Sequence, residues 1–427
     1  MRVQLDAPLA VSAGRGAGND TSSLPHAPAT MVRGALAAAL RRAGAAPERM
    51  DALFGVSGVR TTALIPAIDR ADSGANPGDG ESGTSRSFVV RPTPLTVRTC
   101  KRFGGCLADP TPQGARSAHG AEDTLAATVV YAQDGTTDAL DALQTCARCG
   151  NVLVPMRGYL RETSDRSYMS QPLLDTRVDT HVGRDRQRRG AAAGVLYTQE
   201  VMLEFTEGQR SVLQADVWAT AEQAEVFQRH FQERPVIRIG SSISRGLGRC
   251  TVTSFASAAP ASSLTERLAH AGTWWRQQRG QYGEEATDAA VVTLTLLTPG
   301  LFVDAFLRPS TRPQPADLLA IPAVTGAEQE ALGALRPLHQ VARTHFFQGW
   351  NGLSGFPHAA EQGLVAGSVL VFEAPELSEA LVSALGKAEQ WGIGLRAELG
   401  FGRVRVADPI HQALHEHTAA IEEPAAP

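Results

Sequence analysis

Apolar positions along this chain follow two spacings, and each predicts its own kind of element. In "TMVRGALAAALRRAG" they recur as on one face of a helix, with Thr30 placed to cap it and Gly44 placed to end it. "TAEQAEVFQRHFQE" and "ELSEALVSALGKAEQW" read the same way. Elsewhere the pattern shortens to runs or alternation: "MRVQLDAPLAVS", "VIRI", "RCTVTSF", "AVVTLTLL", "SVLVFEA" and "GRVRVAD" read as strands. "VLYTQEVMLEF" and "SVLQADVW", joined by "TEGQ", predict a β-hairpin between Val195 and Trp218.

Polar punctuation divides these elements into larger pieces. Residues 70–87, "RADSGANPGDGESGTSRS", are rich in Gly, Ser and Asp and read as a flexible insertion. Residues 308–322 are proline-rich and read as an insertion in the second half. At 427 residues the chain exceeds the size of most single cores, so two domains are expected, over 1–260 and 261–410, with a flexible tail over 411–427.

A repeated loop gives the same count. "GSSISRGLGR" runs from Gly240 to Arg249 and "GLRAELGFGR" from Gly394 to Arg403. Each places glycine, five residues, then glycine, an apolar residue, glycine and arginine. Glycines let a backbone expose its amides to phosphate, and arginine adds charge and a planar donor fork. Gly240, Arg245, Gly246, Gly248 and Arg249, with Arg396, Gly400, Gly402 and Arg403, are therefore candidate contacts to a sugar-phosphate chain. Neither loop ends in the Lys-Ser/Thr of a mononucleotide P-loop or leads clearly into a helix, so both nucleotide motifs are rejected. The plain alternative is a pair of tight turns with surface arginines.

Composition narrows the partners. With 43% hydrophobic and 20% charged residues the chain is that of a folded protein, and a formal net charge of −4 argues against a bulk polyanion binder. Any nucleic-acid contact must come from local arginine clusters. No apolar run reaches membrane-spanning length and the N-terminus does not read as a signal peptide, so a cytoplasmic location without membrane contact is expected.

The paired loops resemble the glycine-rich loops of the RAMP superfamily, the RNA-binding subunits of CRISPR effector complexes. "PHAPATMVRGALAAAL" is similar to the family's Ile-Pro-Gly-Ser-x-Leu-Arg-Gly helix start, with Pro28, Arg33 and Gly34 matching and Ala29 and Thr30 standing where Gly and Ser are usual. "LFG" at 53–55 follows as in many members, and "THVGRDRQRRGAAAGVLYTQE" resembles the segment around the family's hydrophobic hairpin. The nearest resemblance is to the Csx-ten group of type III-D systems. It implies an α+β chain of two ferredoxin-like domains that bind guide RNA near its 5′ handle, beside other RAMP subunits and the large subunit, with target RNA met indirectly. Arg33, in the first turn of a helix, and Arg184, Arg186, Arg188 and Arg189, the densest basic run in the chain, join the candidate RNA contacts. A surface arginine and a solvated loop are the alternatives.

Cys100 and Cys106 in "CKRFGGC" and Cys146 and Cys149 in "CARCG" could offer four thiolates to one structural zinc, pinning an insertion over residues 98–160. Related type III-D and III-E subunits carry such insertions; the alternative is four unrelated cysteines. Cys250, in a predicted strand, reads as a small core residue.

In RAMP subunits that cut target RNA, an acidic residue in the loop after the first strand lies near the scissile phosphate and works with a metal ion. Asp20 falls in that loop here, with His26 beyond it, but turn geometry accounts for such an Asp equally, so a non-catalytic subunit is expected. A backbone subunit cutting RNA through Asp20 and a pure assembly module are the alternatives. His411, His415 and His417 lack a metal-binding order and read as a solvated face near a fraying end.

Overall fold

The computed structural model describes residues 1–12, 19–68, 88–111, 116–163, 167–184, 187, 191–255, 262–282, 289–319, 321–322, 324–351, 356–357 and 359–415. Contacts divide the chain into two compact units: Met1–Thr84 with Gln171–Ala258 and Glu398–Gly400, and Ser85–Ser170 with Ala259–Ala397 and Phe401–Pro427. Residues 98–160, read from the sequence as an insertion of the N-terminal domain, group with the second unit. The flexible insertion expected over 70–87 and the end of the tail lie outside the described residues. No described helix is long and apolar enough to cross a membrane.

In the first unit, the strands Arg2–Leu5, Ile65–Pro66, Val212–Gln214 and Arg249–Ser254 form one antiparallel sheet, with Val236–Arg238 added at the edge. Taken in chain order, these four lie fourth, first, third, second across the sheet. The helix Ala29–Arg42 follows the first strand and Ala221–Glu233 follows the third. Their apolar faces, Val32, Leu36 and Leu40 on one and Phe227 and Phe231 on the other, join Val3, Leu5 and Leu213 of the sheet in one core. Cys250 is fully buried in that core.

Helix starts test the capping rules. Thr220 accepts from the Gln223 amide while the Gln223 side chain accepts from the Thr220 amide, a complete capping box. Thr30, expected to cap the first helix, lies inside it; Pro28 holds the cap position and makes no side-chain cap bond. Pro28 stands just outside the helix with ψ 151°, and its carbonyl accepts the first intrahelical bond, from the Val32 amide at 3.1 Å.

The hairpin expected between Val195 and Trp218 is only partly formed. A two-residue ladder, Phe205–Thr206 with Gln209–Arg210, closes around Glu207 and Gly208, both at positive φ. The flanking strands go elsewhere: Ala191–Met202 pairs with Thr176–Arg184, and Val212–Gln214 with Arg2–Leu5. Pairing of Val212–Gln214 with the remote Arg2–Leu5 buries Leu213 completely, which a continued local hairpin does not require.

The second unit repeats the plan. Ala290–Leu296, Arg336–Val341, Val369–Ala374 and Val404–Val406 form an antiparallel sheet in the same fourth, first, third, second order. The helices Gly326–Gly333 and Glu379–Trp391 occupy the corresponding places in the chain. Residues 98–160 supply a small sheet, Ala121–Asp123 beside Val97–Cys100 beside Leu153–Pro155, and two helices, Leu125–Asp134 and Thr137–Gln144. Leu125, Ala126 and Val129 enter the same core as Trp275, Val292 and Leu385.

His411 corrects the reading of a solvated terminal face. It is 2% exposed, with Nδ1 2.8 Å from Asp123 Oδ2 and Nε2 2.9 Å from Thr295 Oγ1. His415 is partly buried near Trp274, and His417 lies outside the described residues.

Candidate metal centre and glycine-loop surfaces

The two glycine loops are one structure built twice. A short 3-10 turn, Ile243–Arg245 or Ala397–Leu399, sits at the middle of each. Ser242 and Arg396 both take φ 57° before it. Gly248 donates to the Pro8 carbonyl at 2.8 Å and Gly402 to the Pro299 carbonyl at 2.7 Å. The Ile239 amide donates to Gly248 at 2.9 Å, and the Ile393 amide to Gly402 at 2.9 Å. A Cβ on Gly248 would stand 1.8 Å from the Ile239 oxygen, and one on Gly402 1.8 Å from the Ile393 oxygen. Both glycines are therefore required by backbone contact within the protein.

The arginines diverge. Arg249 is 57% exposed at its side chain, with Nε 3.9 Å from Asp6 Oδ2. Arg403 is wholly buried, donating from Nη1 to the Gln390 carbonyl at 2.6 Å and from Nη2 to the Glu389 carbonyl at 2.5 Å. It satisfies the C-terminal carbonyls of the Glu379–Trp391 helix, where a cation also meets the helix dipole. Arg403 is thus corrected from RNA contact to structural cap. Arg396 is held by Glu361, with Nη1 2.8 Å from Oε2. Arg33 is half-buried, donating to the Phe54 carbonyl with its guanidinium 5.5 Å from the Phe54 ring. Desolvation lowers its pKa.

In the first loop Arg245 remains exposed, bonded to the Tyr197 hydroxyl and 5.7 Å above that ring. The His181 ring stacks on Tyr197 at 5.0 Å across the long hairpin, whose register places the two residues opposite each other. Arg184 ends one strand of this hairpin; Arg186, Arg188 and Arg189 lie outside the described residues. Sequence pattern alone does not mark Tyr197 and His181 as partners of the loop, although both lie in the 180–200 segment that carries part of the RAMP resemblance.

Asp20 is exposed and accepts from Thr198 Oγ1 at 2.5 Å. Burial pushes the nearby-in-sequence His26 imidazole down to about 4, so it is neutral at pH 7.

The cysteines assemble with one change of membership. Cys100, His119, Cys146 and Cys149 present ligand atoms all within 4.8 Å of one another. Cys100 Sγ and Cys149 Sγ are 3.6 Å apart, and Cys146 Sγ is 3.5 Å from His119 Nδ1. Ligand bonds of about 2.3 Å to sulfur, in tetrahedral arrangement, require sulfurs about 3.8 Å apart, so the set fits a zinc-sized ion. The Cys146–Cys149 turn is a knuckle: the Cys149 and Gly150 amides both point to the Cys146 carbonyl, and Gly150 takes φ 65°. Asn151 donates to Cys149 Sγ at 3.2 Å, which lowers that thiol's pKa, while burial pushes Cys146 up to about 11. With three thiolates and one imidazole holding the ion, it would supply cross-linking of the knuckle to the Val97–Cys100 strand.

Cys106 is excluded from this set. It packs with Val97, Leu160, Tyr168 and Ile410, its amide donates to Asp109 at 2.7 Å, and burial pushes its thiol up to about 12. The available signal for His119 was weak, a single histidine beside glycine between the two cysteine pairs.

Comparison with curated proteins gives no match. Similar solved structures include a chain of a type III-B Cmr-beta complex bound to cognate target RNA, with 7% identity, 94% of this chain and 95% of that chain covered, and a TM-score of 0.39. A Thermus thermophilus Cas6 has 15% identity, 75% and 99% coverage, and a TM-score of 0.25. Residues 155–406, both glycine loops included, match the model of the CRISPR-associated protein family Cas_Cmr3. That match takes in more than half of the sequence, and the chain belongs to the Cas_Cmr3 family.

Proposed function

We propose that this chain is a guide-RNA-binding, non-catalytic subunit of a type III CRISPR effector ribonucleoprotein, of the type III-D group it resembles, placed near the 5′ handle of the guide. Family membership supports the setting. The observation that carries the RNA reading is the exposed Arg245 held over Tyr197, itself stacked on His181, at the rim of the first glycine loop. An exposed guanidinium beside two aromatic rings suits a phosphate with a splayed base stacked next to it. The strand order repeated in both units supports two ferredoxin-like domains. The Cys100, His119, Cys146 and Cys149 set is assigned a structural zinc, which leaves no ligand position for an activated water.

The test is to assemble the chain with its partner subunits and a CRISPR array, crosslink, and map RNA-bearing peptides. Adducts at Tyr197 or between Arg245 and Arg249, concentrated at one end of the guide, support the proposal. RNA in the complex that never links to this chain overturns it in favour of an assembly module. An Asp20→Ala complex should cut complementary RNA as the parent does; loss of one cut would make Asp20 a nuclease residue.

A further inference from the structure

The basic side chains around the metal knuckle have no place in the function described so far. Lys101 and Arg102 directly follow Cys100, Arg148 lies between Cys146 and Cys149, and Arg116 precedes His119. All four are exposed, and among the described residues none forms an ion pair with a carboxylate. Of the glycine-loop cations, Arg396 and Arg403 are engaged and Arg249 lies near Asp6, while the exposed Arg245 is bonded to the Tyr197 hydroxyl.

Geometry gathers these charges. The Arg102 and Arg116 guanidinium carbons lie 5.2 Å and 5.8 Å from the centre of the Phe103 ring. Phe103 in turn packs 4.5 Å from the His119 ring and against the Cys100, Cys146 and Leu153 cluster. Two long cationic side chains are thus laid on a fixed aromatic surface, which reduces the entropy lost when they bind. The Cys-x2-Cys turn adds Arg148, on a backbone fixed by the Cys149 and Gly150 amides bonded to the Cys146 carbonyl.

We propose that the knuckle around Cys100, His119, Cys146 and Cys149 is a second RNA-binding surface, taking single-stranded RNA through Lys101, Arg102, Arg116 and Arg148. It deepens the reading of the chain as an RNA-binding subunit and rests on it. The knuckle precedes residues 155–406, so it is not part of the segment that matches the family. Cations without a carboxylate partner favour a polyanion, and two of them, Arg102 and Arg116, lie against one aromatic ring, an arrangement that suits a flexible single strand better than a regular duplex face.

The test uses the purified full-length chain loaded with zinc and a fluorescent uridine homopolymer of about 20 nucleotides. The Arg102→Glu/Arg148→Glu variant should bind at least about tenfold more weakly, and Arg102→Ala/Arg148→Ala should lower the salt slope of binding by about 1.4, the loss of two phosphate contacts. Zinc content must equal that of the parent in both, and the alanine pair decides if the glutamate pair folds poorly. Unchanged affinity and slope in zinc-loaded variants would overturn the proposal. So would release of a partner subunit from the assembled complex with RNA affinity unchanged, which would make the patch a protein contact. Measuring Tyr197→Ala/Arg245→Ala in parallel separates the two readings: loss there alone leaves the glycine-loop function standing without the knuckle, and loss in the knuckle variant alone does the reverse.

Discussion

Arg403 closes the end of a helix by donating to the carbonyls of Glu389 and Gln390, whereas Arg249, at the same place in the other glycine loop, projects into solvent at 57% exposure. The same pattern of glycines and arginine therefore serves two purposes. The difference lies in how each loop joins its helix: in the second unit the loop leaves the Glu379–Trp391 helix directly. In the first, the Val236–Arg238 strand intervenes between helix and loop.

Arg403→Ala should destabilise the chain by about 2–4 kcal/mol, since buried helix carbonyls lose charged donors. Arg249→Ala should change stability by less than about 0.5 kcal/mol, as surface substitutions do, and should weaken RNA binding. Denaturant unfolding of both variants, with RNA affinity measured beside it, checks the pair.

Gly248→Ala and Gly402→Ala should each cost about 2–4 kcal/mol, because a Cβ at either position overlaps a carbonyl oxygen at 1.8 Å. Similar losses in thermal unfolding are expected. A neutral result for either would mean that its loop relaxes without cost.

Metal analysis should give one zinc per chain, lost in Cys146→Ser and in His119→Ala and retained in Cys106→Ser. The last substitution removes a thiol that stands outside the ligand set. Retention in His119→Ala together with loss in Cys106→Ser would restore the four-cysteine site.

The His411 and Asp123 pair predicts a pH dependence. Burial lowers the His411 pKa, but the adjacent Asp123 charge and hydrogen bond outweigh it, with Asp408 adding to them, and the net direction is upward. A folded-state pKa above the unfolded value of about 6.5 gives stabilisation that is full below that value and fades as pH rises through the folded pKa. His411→Asn should flatten unfolding stability against pH on the alkaline side of 6.5 relative to the parent. An unchanged slope would mean that the pair does not titrate there.

Much of the framework was legible in the sequence because it obeys local rules. Helical spacing located Ala29–Arg42, Ala221–Glu233 and Glu379–Trp391, and the glycine pattern revealed a repeat whose two copies share φ values and backbone partners. Glycine at Gly248 and Gly402 is forced by the carbonyls of Ile239 and Ile393, the residues that immediately precede each loop, so sequence alone carries the signal.

Only tertiary structure decided the rest, because those outcomes depend on what distant segments bring near. Arg403 and His411 look like surface residues in isolation, yet Arg403 is buried against the end of the preceding helix and His411 against Asp123 and Thr295, both remote in sequence. The strand that carries Tyr197 pairs with Thr176–Arg184 and not across the adjacent turn, a choice of partner that the alternation of residues does not specify. Cys106 stands near Cys100 in the chain, yet its thiol packs into a different cluster, and His119 takes its place once the Phe103–His119 contact folds that segment back. Spacing along a chain fixes which residues can form a turn; which side chains converge on one point is set by the packing of segments that sequence order does not link.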